Sequence, residues 1–188
     1  MNVGESPTPK QVILPQESNL ALFETTHGEL RYICQLPFSS LDNFTTSTSG
    51  WVVGISGTET PSIISWNAQT RTAHAMPLPN NHVPHSIAMV GQILYVGGEA
   101  AFEDPSEGFD KVNLPFLGLY DLSQQPQKWK PIQLEFAGDL YHDKAVDGLL
   151  IDGTRLIVFD NVVTPCWAFI YDIQFKSRSG QFNLLRLV

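Results

Sequence analysis

Four stretches of the chain repeat one pattern, and no other feature limits the possible folds so sharply. They are LALFETTHGELRYICQL (20–36), SIISWNAQTRTAHAMPL (62–78), FLGLYDLSQQPQKWKPIQL (116–134) and AFIYDIQFKSRSGQFNLLRL (168–187). Each holds an apolar segment ending in an aromatic, then a polar turn, then a second segment. The aromatics are Phe23, Trp66, Tyr120 and Tyr171, and they recur about every fifty residues. Tyr120-Asp121 and Tyr171-Asp172 repeat outright. Ahead of two of these hairpins lies another matched pair, HSIAMVGQILYVGG (85–98) and DGLLIDGTRLIVFD (147–160). FTTSTSGWVVGIS (44–56) fills the same slot ahead of the second hairpin less closely. A self-similar period of this length is the mark of a repeat architecture.

The repeating unit reads as β-structure. Short apolar runs alternate with clusters of Gly, Pro, Asn, Asp and Ser, and long helical periodicity is missing. In ELRYICQL, strict alternation places Leu30, Tyr32, Cys34 and Leu36 on one face. LALFETT reads as a strand turning at Thr25-Thr26-His27-Gly28, and further tight turns are expected at Val90-Gly91-Gln92 and Asp152-Gly153-Thr154. ILYV and LIVF do not alternate, as expected of strands covered on both faces. Four antiparallel strands per unit follow, with partial 11–36 and full units 44–80, 85–134 and 147–188 in a single domain after a flexible leader, 1–10. The expected class is all-β, with about three and a half β-propeller-like blades. A β-sandwich or barrel is the alternative.

Val96-Gly97-Gly98, followed by Tyr120 and Trp129, resembles the kelch repeat, whose signature is an apolar strand ending in Gly-Gly, then a Tyr and a Trp. The last unit departs from it, with Phe159-Asp160 in place of the glycines and Phe182 in place of the Trp. The second unit has Trp66 for the Tyr and no doublet. The resemblance implies a propeller, and kelch-like propellers include both protein-interaction domains and sugar-active enzymes. Three and a half units leave three ways to close a ring: QVILP (11–15) completing a four-bladed ring, two chains sharing a larger one, or a longer repeat protein of which this is a piece.

Composition excludes some partners. The chain has 188 residues, 43% hydrophobic and 16% charged, with a net charge of −8. Nucleic acid binding leans on Lys and Arg, so it is not expected, and neither is an anionic membrane surface. The N-terminal segment does not read as a secretory signal and no run is long enough to span a bilayer, so a cytoplasmic protein is expected. Cys34 and Cys166 match no zinc spacing; they read as buried thiols, and pair only if the fold brings them together. Asn43-Phe44-Thr45 fits a glycosylation sequon and hints at a surface loop.

The expected ligand side is built from three polar connections. EAAFEDPSEGFDKVN (99–113) carries Glu99, Glu103, Asp104, Glu107 and Asp110; PNNHVPHS (79–86) carries His82 and His85; AGDLYHDKAV (137–146) carries Asp139, Tyr141, His142 and Asp143. The acidic loop lacks the ordered spacing of a calcium loop and reads as solvated. His82 and His85, with His142 and Asp143, offer nitrogen and oxygen ligands for a divalent metal. Asp139 and Asp143 are a possible acid–base pair, but the sequence contains none of the familiar catalytic motifs. The expected function is a non-catalytic, cofactor-free interaction or scaffold module, with a protein partner and self-association. A sugar-binding or carbohydrate-active protein using the same loops is the alternative.

Overall fold

The computed structural model describes residues 10–16, 19–26, 28–38, 41, 43–47, 49–57, 61–103, 111–134, 145–159, 168–173 and 183–187. The protein is all-β. No helix occurs among the described residues, so none there is long and apolar enough to cross a membrane. Two compact units divide the chain, Met1–Leu41 and Asp42–Val188.

The first unit is a three-stranded antiparallel meander of β1 (Lys10–Gln16), β2 (Asn19–Thr26) and β3 (Glu29–Gln35). Ala21, Leu22, Leu36 and Phe38 are buried. The single-face alternation expected of β3 breaks down. Cys34 lies opposite Leu22 but Tyr32 lies opposite Phe23, so a bulge skips Ile33 and interrupts the period of two. Leu30, Ile33 and Tyr32 are exposed, whereas Cys34 is half-buried.

The second unit contains three four-stranded meanders in chain order. The first joins β4 (Asn43–Thr46), β5 (Trp51–Ser56), β6 (Ser62–Asn67) and β7 (Thr72–Met76). The second joins β8 (His82–Val90), β9 (Ile93–Glu103), β10 (Lys111–Asp121) and β11 (Lys130–Ile132). The third joins β12 (Gly148–Asp152), β13 (Arg155–Phe159), β14 (Ala168–Asp172) and β15 (Asn183–Leu187). These are the antiparallel four-stranded repeats read from the sequence, and among the described residues no sheet closes into a barrel. Two-residue turns join β8 to β9 and β12 to β13, where Gly91 and Gly153 take φ of 60° and 59°. Glycine adopts that left-handed backbone without the clash a side chain would meet.

The sheets bury themselves in one another. Trp51, Val53, Ile55 and Ile63 of the first pack on Leu94, Val96, Phe116 and Tyr120 of the second. From its other face, the second sheet sends Tyr95 and Leu117 against Leu156, Val158, Phe169 and Tyr171 of the third. ILYV is thus covered on both faces, which is why it carries no polar alternation. LIVF differs from that expectation. Leu156 and Val158 are buried, but Ile157 between them faces the other way and is half-buried. The first strands lie side by side, β8 against both β4 and β12. Each fully buried aliphatic side chain in these layers contributes roughly 1.5–3 kcal/mol.

Candidate functional site

The site grows out of the glycine doublet. A Cβ on Gly98 would meet the Val83 carbonyl oxygen and, at 2.9 Å, the Phe116 ring. A Cβ on Gly97 would meet the Val146 side chain. The two glycines therefore serve two close approaches: β8 on one side and the segment leading into β12 on the other. That segment is pinned in place. Val146 N donates to Gly98 O at 3.0 Å, and Ser86 Oγ donates to Val146 O at 3.1 Å.

Opposite the doublet, β8 carries a bulge. Pro84 pairs with Gly98 and Ser86 with Gly97, leaving His85 as the extra residue. A bulge re-aims side chains. Here it turns His85 toward the next sheet, beside Ser86. His85 Nδ1 lies 3.0 Å from Asp147 Oδ1, and Nε2 lies 3.7 Å from Glu99 Oε1. Asn43 Nδ2 donates to the His85 carbonyl at 3.4 Å. The sequon asparagine therefore opens strand β4 rather than a loop. The side chains of His85, Glu99 and Asp147 are 31%, 30% and 18% exposed, so the cluster is open to solvent yet held by three sheets. Ser86 is buried and spends its hydroxyl on Val146, so it is not a nucleophile activated by His85.

His82 points elsewhere. Its ring centroid is 4.6 Å from Phe116 and 6.3 Å from Trp129, and its Nδ1 lies 3.1 Å from Asn80 O. It stands between two clefts. One, of about 240 Å³, is lined by Phe116, Trp129, Pro131 and Leu134. The other, of about 470 Å³, is lined by Pro61, Met76, Pro77 and Pro79. Trp129 covers Gly118, where a Cβ would strike its ring, and it packs at 5.4 Å from Tyr120, whose hydroxyl donates to Pro77 O. Burial pushes the hydroxyls of Tyr95 and Tyr120 up to about 12.

The structure thus brings His85 and Glu99 together and directs His82 away from them. Both histidines stand on β8 rather than in a connection, and Glu99 through Glu103 extend β9, with Glu103 opposite Lys111. Strand pairing reaches further into the acidic segment than its polarity suggests, because Ala100, Ala101 and Phe102 carry the ladder outward. Among the described residues, no group of three or more His, Cys, Asp or Glu could hold a metal ion. Asp104, Asp139, Tyr141, His142, Asp143 and Cys166 lie outside the described residues. Asp147, Phe116 and Trp129 were missed as site residues. The repeat held the clue to Asp147, which aligns with His85 when the two Gly turns are superposed. No protein-family model matches the chain, and no curated protein matches it.

Proposed function

We propose that the protein is a non-catalytic interaction module of the β-propeller-like, kelch-like kind, binding a basic segment of a partner protein in the cytoplasm. The observation that carries this reading is the convergence of Glu99 and Asp147, from adjacent sheets, on His85 at an open surface. Sheets fix the spacing of these carboxylates more rigidly than a loop would. Paired carboxylates at fixed spacing suit Arg and Lys, which bind them through charge-assisted hydrogen bonds. The net charge of −8 favours encounter with a basic partner and disfavours acidic ones. The stacked meanders with adjoining first strands support the propeller part of the reading.

The test is affinity capture with wild type and Glu99→Lys side by side. The expected result is a partner retained by wild type, weakened by salt and lost with the variant. Capture indifferent to Glu99→Lys and to salt would overturn the reading. A carbohydrate ligand is the second reading, favoured by the His82–Phe116–Trp129 ring cluster beside two clefts. Sugar-dependent quenching of Trp129 fluorescence, abolished by His82→Ala, would select it.

A further inference from the structure

The three sheets of the second unit use one face in one way. In the first, Thr45, Val53 and Ser65 lie opposite one another, and Val53 packs on the following sheet. In the second, the corresponding row is Ala88, Tyr95 and Leu119, and Tyr95 packs on the following sheet. In the third it is Leu150, Ile157 and Ile170. This row is entirely aliphatic. Yet Leu150 is 55% exposed, and Ile157 and Ile170 are only half-buried. Asp152, Arg155 and Asp172 form a charged row along one side of it, giving an apolar centre with a polar rim.

The opposite faces also follow a rule. What covers each such row is a cross-strand pair on the next sheet: Leu94 with Tyr120, then Leu156 with Tyr171. The β1–β3 sheet has the same pair as Val12 with Phe23, extended by Tyr32 on β3. Phe23 and Tyr32 meet edge to face at 5.7 Å, and Tyr32 is 51% exposed. The corresponding pair on the first four-stranded sheet, Val52 and Trp66, is buried. Among the described residues, one receiving row therefore remains partly open, with Leu150 exposed and Ile157 and Ile170 half-buried. One covering row also remains partly open, with Tyr32 exposed and Val12 and Phe23 half-buried. The covering row pairs an aliphatic with an aromatic residue, as the two joints already made do.

We infer that the Leu150–Ile157–Ile170 face of one chain receives the Val12–Phe23–Tyr32 face of a second copy. The contact repeats the joint that builds the second unit, and it is heterologous, head to tail, so it closes into a ring or extends as a chain of copies. The inference rests on the stacked-sheet part of the proposed function and names self-association as a property of that stack.

The test is molar mass by light scattering on the full chain, for wild type, Leu150→Glu, Tyr32→Glu and an equimolar mixture of the two variants. Both positions are more than half exposed, so each substitution leaves the fold intact by circular dichroism. Wild type is expected at twice the chain mass or more. Each variant alone is expected to be monomeric. The mixture is expected to give a heterodimer, because each variant keeps the face the other has lost. A monomeric wild type overturns the inference. So does a Tyr32→Glu protein that still self-associates while Leu150→Glu does not, since the last sheet would then be meeting itself. Partner capture reads Glu99, which belongs to neither row, so failure here is separate from failure of the interaction reading.

Discussion

His85 and Asp147 stand 62 residues apart, at the same place in successive repeats, and their side chains meet at 3.0 Å. The offset that superposes Gly91 on Gly153 also superposes His85 on Asp147. His85 lies within β8 and Asp147 immediately precedes β12, and these first strands lie side by side. The repeat thus converts one sequence position into a latch between neighbouring sheets, closed by a bulge that turns the imidazole outward from β8.

A double-mutant cycle measures that latch. His85→Ala, Asp147→Ala and the double variant, unfolded in urea, are expected to show a coupling of about 1 kcal/mol, the size of a half-exposed hydrogen bond with a charged acceptor. Additive losses would mean that the contact does not hold the sheets together.

Two glycines separate the effect of space from that of backbone shape. Gly98→Ala pushes a methyl into the Val83 carbonyl and the Phe116 ring. Backbone cannot step aside as a side chain tip can, so a loss of about 3 kcal/mol is expected. Gly91→Ala meets nothing within 4 Å and costs only the strain of a φ of 60°, about 1 kcal/mol. Urea midpoints of the two variants check the ordering, and a Gly91→Ala loss equal to that of Gly98→Ala would contradict it.

Much of this architecture was legible in the sequence because its periodic signals are strong. Tyr120 and Tyr171 mark the third strand of their sheets, and the glycine turns mark where first strands double back. The site was less legible for physical reasons. His82 and His85 are three apart in a segment that reads as a loop. Once it is a strand, that odd spacing alone sets them on opposite faces, and the bulge at Pro84 to Ser86 brings His85 to the side of Ser86. The same kind of irregularity, at Ile33, hid the exposure of Leu30 and Tyr32. A one-residue slip reverses which face a strand presents, and periodicity alone does not reveal it. Glu99 reads as the start of a loop, whereas four further residues of ladder follow it.

Trp129 and Gly118 form a second paired contact. A Cβ on Gly118 would strike the indole, so Gly118→Ala is expected to displace the ring from its place beside Tyr120 and Phe116. Trp129→Ala is expected to cost about 2–3 kcal/mol, below the range for fully buried tryptophans because this ring is half-exposed. If displacement of the ring is what Gly118→Ala costs, it should add little in a Trp129→Ala background. Additive losses would place the glycine's role elsewhere.

Alkaline titration reads the interior directly. Tyr95 and Tyr120 are raised from 10.0 to about 12, because burial opposes the charged phenolate. The folded state therefore holds these protons more tightly than the unfolded chain does. Their contribution to stability is complete below about pH 10, and it is lost progressively as pH rises through the folded values near 12. Tyrosinate absorbance is expected to show these two groups ionising late, together with the onset of unfolding. Tyr120→Phe removes one such group and leaves the Pro77 carbonyl without its donor. That variant is expected to be about 1 kcal/mol less stable at neutral pH, yet to lose less stability between pH 10 and 12 than wild type. Unchanged pH dependence in Tyr120→Phe would show that this hydroxyl is not held neutral by the fold.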